Sequence, residues 1–124
     1  MEIEACVVYH LTTNGFDAYG EVPKTTGGEF VTIERTGGGE TNHIERATLA
    51  VQSWADTMLD AVKLDSAVAD AMESLVEYES VSACRRNGSY NYTNPATNKY
   101  RYQSVYEVIY YREAITPGPE EEEP

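Results

Sequence analysis

Apolar residues recur at three- and four-residue steps in two parts of the chain, the spacing of an amphipathic helix. The first run covers residues 3–12, and Asn14-Gly15 follows it as a helix terminator. The second and clearer run covers residues 57–75 and contains no Gly or Pro; its apolar stripe consists of Ala61, Leu64, Val68, Ala71, Met72 and Leu75. The pattern predicts two helices, the second of which packs onto a sheet.

Alternating and β-branched residues predict about four strands. They cover residues 30–36, 46–54, 76–86 and 100–112, and residues 16–20 fit a short extended piece. A long, mobile loop at 37–44 is expected to join the first two strands. Asn87-Gly88 is a strong turn signal, and a polar, tyrosine-bearing loop at 89–99 leads to the last strand.

These elements predict an α+β fold, because hairpins pair strands antiparallel and leave one sheet face for the helices. The expected architecture is an antiparallel or mixed sheet of about four strands with two helices on one face, in the order α-β-β-α-β-β. A chain of 124 residues fits one domain. We assign it to residues 1–115, and we expect residues 116–124 to be a disordered acidic tail.

The last predicted strand is apolar on both sides. One side carries Tyr102, Ser104, Tyr106, Val108 and Tyr110; the other carries Val105, Ile109 and Tyr111 among Arg101, Gln103 and Glu107. If helices cover one face, the second apolar set stays uncovered, and contiguous apolar patches mark interaction sites. The alternative is that tyrosine and scattered apolar residues simply tolerate partial exposure. We favour an interface.

Charge limits the classes of partner. Nine basic residues stand against twenty-one acidic residues, a formal net charge of −12. Binding to a nucleic-acid backbone relies on Lys and Arg, so duplex DNA and acidic lipid surfaces should be repelled. The first residues carry acids where a signal peptide would carry basic residues, and no membrane span is expected. We expect the protein to be made in a cytoplasm.

The sequence offers no catalytic constellation. His10 lies in the first helix and His43 in a glycine-rich loop, without a neighbouring motif. Cys6 and Cys84 read as small buried hydrophobes and as a poor metal site. The acids around the second helix are interpreted as its solvated outer face; they are Asp56, Asp60, Asp65, Asp70 and Glu73. The expectation is a protein that is not an enzyme and needs no cofactor or metal.

Several segments together resemble the tail terminator (tail completion) proteins of long-tailed bacteriophages and prophages. They are residues 30–38 (FVTIERTGG), 46–55 (RATLAVQSWA), the alanine-rich helix, 90–95 (YNYTNP) and 101–103 (RYQ). They span roughly residues 28–112 in the expected order.

The resemblance implies a structural virion protein: a hexameric ring that caps the tail tube and joins it to the head connector. Its partners would be copies of itself, the tail tube protein and the head–tail connector protein, with DNA passing through the lumen without specific binding. It would be assembled in the host bacterial cytoplasm and located at the head–tail interface of the virion. Candidate residues for subunit or partner contact are Val105, Ile109, Tyr111, Tyr90, Tyr92, Arg35 and Trp54.

Two other functions stay open at this point. One is another head–tail neck or completion component, which would differ in whether the ring binds the tube or the portal side. The other, from a different class, is an acidic inhibitor that mimics DNA. Charge permits the mimic, although many of the acids follow the helix period or lie in the tail.

Overall fold

A computed structural model of the chain describes residues 2–24, 28–94 and 99–111. Within these ranges the chain forms two α-helices, one short 3₁₀ helix and a five-stranded sheet. In chain order the elements are α1 (Ile3–Thr13), β1 (Ala18–Tyr19), β2 (Phe30–Thr41), β3 (Ile44–Ala55), α2 (Met58–Glu73), the 3₁₀ helix (Ser74–Glu77), β4 (Val81–Asn91) and β5 (Tyr100–Tyr111).

The sheet has the strand order β1-β2-β3-β5-β4. β1 runs parallel to β2, whereas all other neighbours are antiparallel. The α+β class with two helices is confirmed, but the expected order lacked a strand. The short extended piece expected at 16–20 contains β1, which adds a parallel edge to the four antiparallel strands and makes the sheet mixed.

The expected long loop at 37–44 is wrong. β2 and β3 continue through that region and close in the two-residue turn Asn42-His43, whose φ angles are 53° and 67°. Positive φ at both positions is the geometry that matches the twist of a hairpin. Gly38 lies within β2, paired with Ala47 of β3, and its φ of 140° and the 2.0 Å that would separate a Cβ from the carbonyl oxygen of Arg46 explain why this position is glycine. Glycine here serves close strand pairing.

The third expected strand, at residues 76–86, is shifted along the chain. Residues 74–77 form the 3₁₀ helix that extends α2, and β4 begins only at Val81. Asn87-Gly88, predicted as a turn, lies inside β4, where the pairing with β5 shifts register between Arg86 and Gly88. An extra residue in one strand of a pair is a β-bulge. The tyrosine-bearing loop is correspondingly shorter than expected, and residues 95–98 lie outside the described residues.

Both helices pack on one face of the sheet, as predicted. Thr57 caps α2 by accepting a hydrogen bond from the backbone N–H of Asp60 at 3.1 Å. His10 ties α1 to the end of α2, since its Nε2 lies 2.8 Å from the carbonyl oxygen of Ala71 and its Nδ1 lies 3.2 Å from the Tyr78 hydroxyl. The core between helices and sheet includes Ile3, Val7, Leu11, Val31, Ile33, Leu49, Val51, Val68, Met72 and Val108.

Two sequence expectations fall at the C-terminus. The proposed domain end at residue 115 and the acidic tail 116–124 lie outside the described residues, as does Arg112, the last residue of the expected strand 100–112. Among the helices of the described ranges, none combines the length and the apolar character that a membrane crossing requires.

Candidate interaction surface

The sheet face that points away from the helices is the candidate site, and we call it the open face. It is built by alternate residues of β2, β3, β5 and β4, which the strand register aligns in rows across the sheet. No helix within the described residues packs on it. The rows differ in chemistry along the strands, from an aromatic row at one end to aliphatic residues at the other.

The first row is a continuous stack of rings and one cation. Phe30 and Trp54 are stacked with ring centroids 5.2 Å apart and an interplanar angle of 12°. The guanidinium of Arg101 lies 4.6 Å from the centroid of the Trp54 ring and 4.8 Å from that of Tyr92. Both distances are within the range of cation–π attraction. Three side chains from β2, β3 and β5 and that of Tyr92, the residue after β4, therefore contact one another and cover this end of the open face.

The second row is a chain of hydrogen bonds. The Thr32 hydroxyl donates to Gln52 Oε1 at 3.1 Å, Gln52 Nε2 donates to Gln103 Oε1 at 2.6 Å, and Gln103 Nε2 donates to the Tyr90 hydroxyl at 2.5 Å. Trp54 Nε1 donates to Thr32 Oγ1 at 3.0 Å and joins the two rows. Both glutamines are buried, and burial of an amide is tolerated only when its polar atoms are bonded.

The remaining rows are less covered. Val105 and Ile109 are half-buried, and Tyr111 is 46% exposed. Between them Glu107 lies 3.7 Å from Arg46 Nε and 4.0 Å from an Arg85 nitrogen, so two cations share one carboxylate. This half of the open face thus combines aliphatic surface with a small group of paired charges.

Six of the seven predicted contact residues lie on the open face. Val105, Ile109 and Tyr111 share it as the alternation predicted, and Tyr90 and Tyr92 lie at its β4 side, with ring centroids 5.9 Å apart. Trp54 also belongs to it, but with 7% exposure its ring is covered by the stack. Arg35 does not belong to it.

Arg35 lies in register with the core residue Leu49 and therefore on the opposite face. Its Nη2 is 3.4 Å from Glu45 Oε1. We expected Arg35 to be a contact residue like the other six, but it does not share their surface. The pairing of Gln52 with Gln103 was not predicted, since the register between β3 and β5 is not visible in either strand alone.

One acid lies inside the molecule, contrary to the outer-face interpretation. Asp65 on α2 is 3% exposed; its Oδ1 accepts from the Ser104 hydroxyl at 2.6 Å and its Oδ2 from Arg86 Nη1 at 3.3 Å. Burial raises the pKa of the Asp65 carboxyl, while the Ser104 hydrogen bond and the Arg86 charge lower it in part. The outer-face interpretation failed because Asp65 faces β5 and β4, where these two partners satisfy it.

The two cysteines lie in apolar surroundings. Burial raises the pKa of the Cys6 thiol and of the Cys84 thiol to about 11 each. Because these pKa values lie far above neutral pH, both thiols remain protonated there. A protonated thiol is a weak nucleophile. No cluster of three or more potential metal ligands occurs within the described part of the chain.

Neither a scan of protein-family models nor a search of curated protein sequences finds a match to this chain.

Proposed function

We propose that this protein is a tail terminator: a structural virion protein that forms a ring of copies, caps the tail tube of a long-tailed phage and joins it to the head connector. The proposal rests on the resemblance of residues 28–112. The structural observation that best supports it is the open face, which carries a second set of apolar side chains outside the core. Assembly would bury them.

The exposed half of the open face is the proposed contact surface. On β5, Val105 lies two residues before Glu107 and Ile109 two residues after it, and Tyr111 is the last residue of the strand. Burying aliphatic surface contributes about 25 cal/mol per Å² removed from water. Tyrosine adds area at low entropy cost and keeps its hydroxyl hydrated, which is typical of interfaces. The shared charges around Glu107 would then form a polar rim.

A ring requires that one patch contact a different patch on the neighbouring copy. The open face would supply one of these patches, and a different surface of the neighbouring copy would supply the other. The acid excess also suits a wall past which DNA moves without binding. The tube and the connector would contact the ring at its two ends.

Expression together with the tail tube protein of the same genome tests the proposal, with native mass spectrometry and electron microscopy as readouts. We expect rings of the parent protein on tube ends. Val105→Glu and Ile109→Glu should stay folded and form no rings, because each places a carboxylate in the contact.

Val76→Glu is the matched control for this experiment. Val76 lies in the 3₁₀ helix with 43% exposure, so the same substitution changes charge equally without touching the open face. Rings should form normally in this variant. Rings formed equally well by Val105→Glu and Ile109→Glu would remove the open face from the proposal. A parent protein that never assembles, with or without tube protein, would refute the proposed function.

A further inference from the structure

Arg101 is held in one orientation by its surroundings. Its guanidinium lies between the rings of Trp54 and Tyr92, at 4.6 and 4.8 Å from their centroids, and its Nε donates to the Tyr92 carbonyl oxygen at 3.0 Å. The backbone N–H of Arg101 donates to Thr93 Oγ1 at 2.9 Å. Most of the entropy that an arginine loses on binding is therefore lost already in the folded protein.

The same guanidinium has no acidic partner among the described residues. Its neighbours in the sheet each have one: Arg35 pairs with Glu45, Arg86 with Asp65, and both Arg46 and Arg85 with Glu107. The two terminal nitrogens of Arg101 make no hydrogen bond to any described residue. In a chain with a formal net charge of −12, Arg101 is thus a fixed cation that no carboxylate of the described residues neutralises.

A planar guanidinium with two free terminal nitrogens recognises an oxyanion in a bidentate manner. A nucleic-acid phosphate is disfavoured, because the surrounding charge is strongly negative and backbone binding needs many cations. A single carboxylate on a protein surface needs only one cation, and a guanidinium can hold it with two parallel hydrogen bonds. The side chains next to Arg101 on the open face are Trp54, Gln103, Tyr90 and Tyr92, and none of them is Asp or Glu.

We propose that Arg101 binds a carboxylate of a second copy of this chain. The inference rests on the self-assembly proposed above and deepens it by naming the cation at the contact. In the ring proposed above, one patch contacts a different patch on the neighbouring copy. The carboxylate would therefore belong to a surface of the neighbour other than its own Arg101 patch.

Arg101→Gln and Arg101→Lys test this site. The parent and variants are assembled at several protein concentrations and at low and high salt, and rings are quantified by analytical ultracentrifugation. We expect association of Arg101→Gln to be weakened about thirtyfold, the size of an interface hot spot. Arg101→Lys should associate more strongly than Arg101→Gln but less strongly than the parent, since lysine keeps the charge but loses the bidentate geometry. Salt should weaken parent assembly more than that of Arg101→Gln.

Lys63→Gln is the charge-matched control, because Lys63 is an exposed residue of α2 and lies away from the open face. It should assemble like the parent. Thermal unfolding of each variant separates lost contact from lost packing over Trp54. Rings that form equally well with Arg101→Gln would overturn the inference and leave the proposed function standing. A parent that forms no ring in any condition would overturn both.

Two other ligands are outcomes of the same set of variants. Binding of inorganic phosphate that Arg101→Gln abolishes, with self-association unchanged, would assign the site to a free anion and overturn the proposal. The acidic tail of the same chain is the other source of carboxylates. If Arg101→Gln shifts the NMR signals of Glu120–Glu123 in a monomer without affecting assembly, the tail is the ligand and the proposal fails.

Discussion

The two faces of β5, formed by alternate residues of one strand, differ in how deeply their side chains are buried. On the helix face, Ser104, Tyr106, Val108 and Tyr110 are all buried. On the open face, Gln103 is buried by a hydrogen-bonded row, Val105, Glu107 and Ile109 are half-buried, and Tyr111 is exposed. An antiparallel strand with one solvated face should alternate apolar and polar residues. Within β5 the departure from that pattern is confined to the open face, and the proposed contact surface depends on this observation.

The faces also differ in how they handle polar groups. The helix face encloses one carboxylate, Asp65, and satisfies it with Ser104 and Arg86. The open face satisfies its amides in a row across four strands and stacks its rings around Arg101. One face therefore derives stability from burial against helices, whereas the other is ordered by contacts within the sheet.

Val108→Glu should have the largest effect on stability. Val108 is fully buried in the core, and an unpaired carboxylate there costs several kcal/mol, comparable with the whole stability of a small domain. We expect Val108→Glu to be largely unfolded. Val105→Glu, three residues earlier on the same strand, should lose no more than about 1–2 kcal/mol. Circular dichroism and urea unfolding measure the difference. Equal unfolding of both variants would show that the open face is core.

Arg86→Ala and Arg85→Ala compare neighbouring arginines on opposite faces. Removing Arg86 leaves the buried Asp65 carboxylate without its cation, and hydrogen bonds to charged groups are worth about 1.5–3 kcal/mol. Because the Arg86 side chain is 42% exposed, we expect a loss of about 1–2 kcal/mol. Arg85→Ala should cost about 0.5 kcal/mol or less, as for exposed ion pairs. Urea unfolding at neutral pH compares them, and an equal loss would contradict the assignment of faces.

The helices and most strands were predictable because the spacing of apolar residues within each segment indicates its secondary structure. The stripe from Ala61 to Leu75 predicts α2 and its buried side, and the alternation in β5 assigns Val105 and Val108 to different faces. Turns were less predictable. Asn87-Gly88 is a turn signal by composition, but pairing with β5 absorbs it as a bulge, whereas Asn42-His43 makes a tight turn that the run of glycines before it obscured.

The candidate site was predictable only in part, for a related reason. The uncovered apolar residues Val105 and Ile109 follow from one strand. The rows around Arg101 and Gln103 depend on the register among four strands, and local sequence does not specify which residues face each other. Asp65 was misplaced because an acid at helical spacing is normally solvated; its burial depends on Ser104 and Arg86, which lie on other elements.

Asp65→Asn should give the smallest change in stability, and the direction of its pH dependence follows from the pKa of Asp65. Burial raises the pKa of Asp65, so the folded state binds its proton more tightly than the unfolded state does. Stability contributed by this group is then present below the unfolded pKa and is lost as pH rises through the folded pKa.

Asparagine at position 65 carries no charge, can accept a hydrogen bond from Arg86 and can donate one to Ser104. Its stability relative to the parent should therefore increase across that interval, by an amount on the order of 1 kcal/mol at neutral pH, and differ little below about pH 4. Urea unfolding from acid to neutral pH measures the difference, in which the titrations of all other groups largely cancel. A relative stability that decreases with rising pH would mean that Ser104 and Arg86 more than offset burial, and the helix face would then owe stability to this charge.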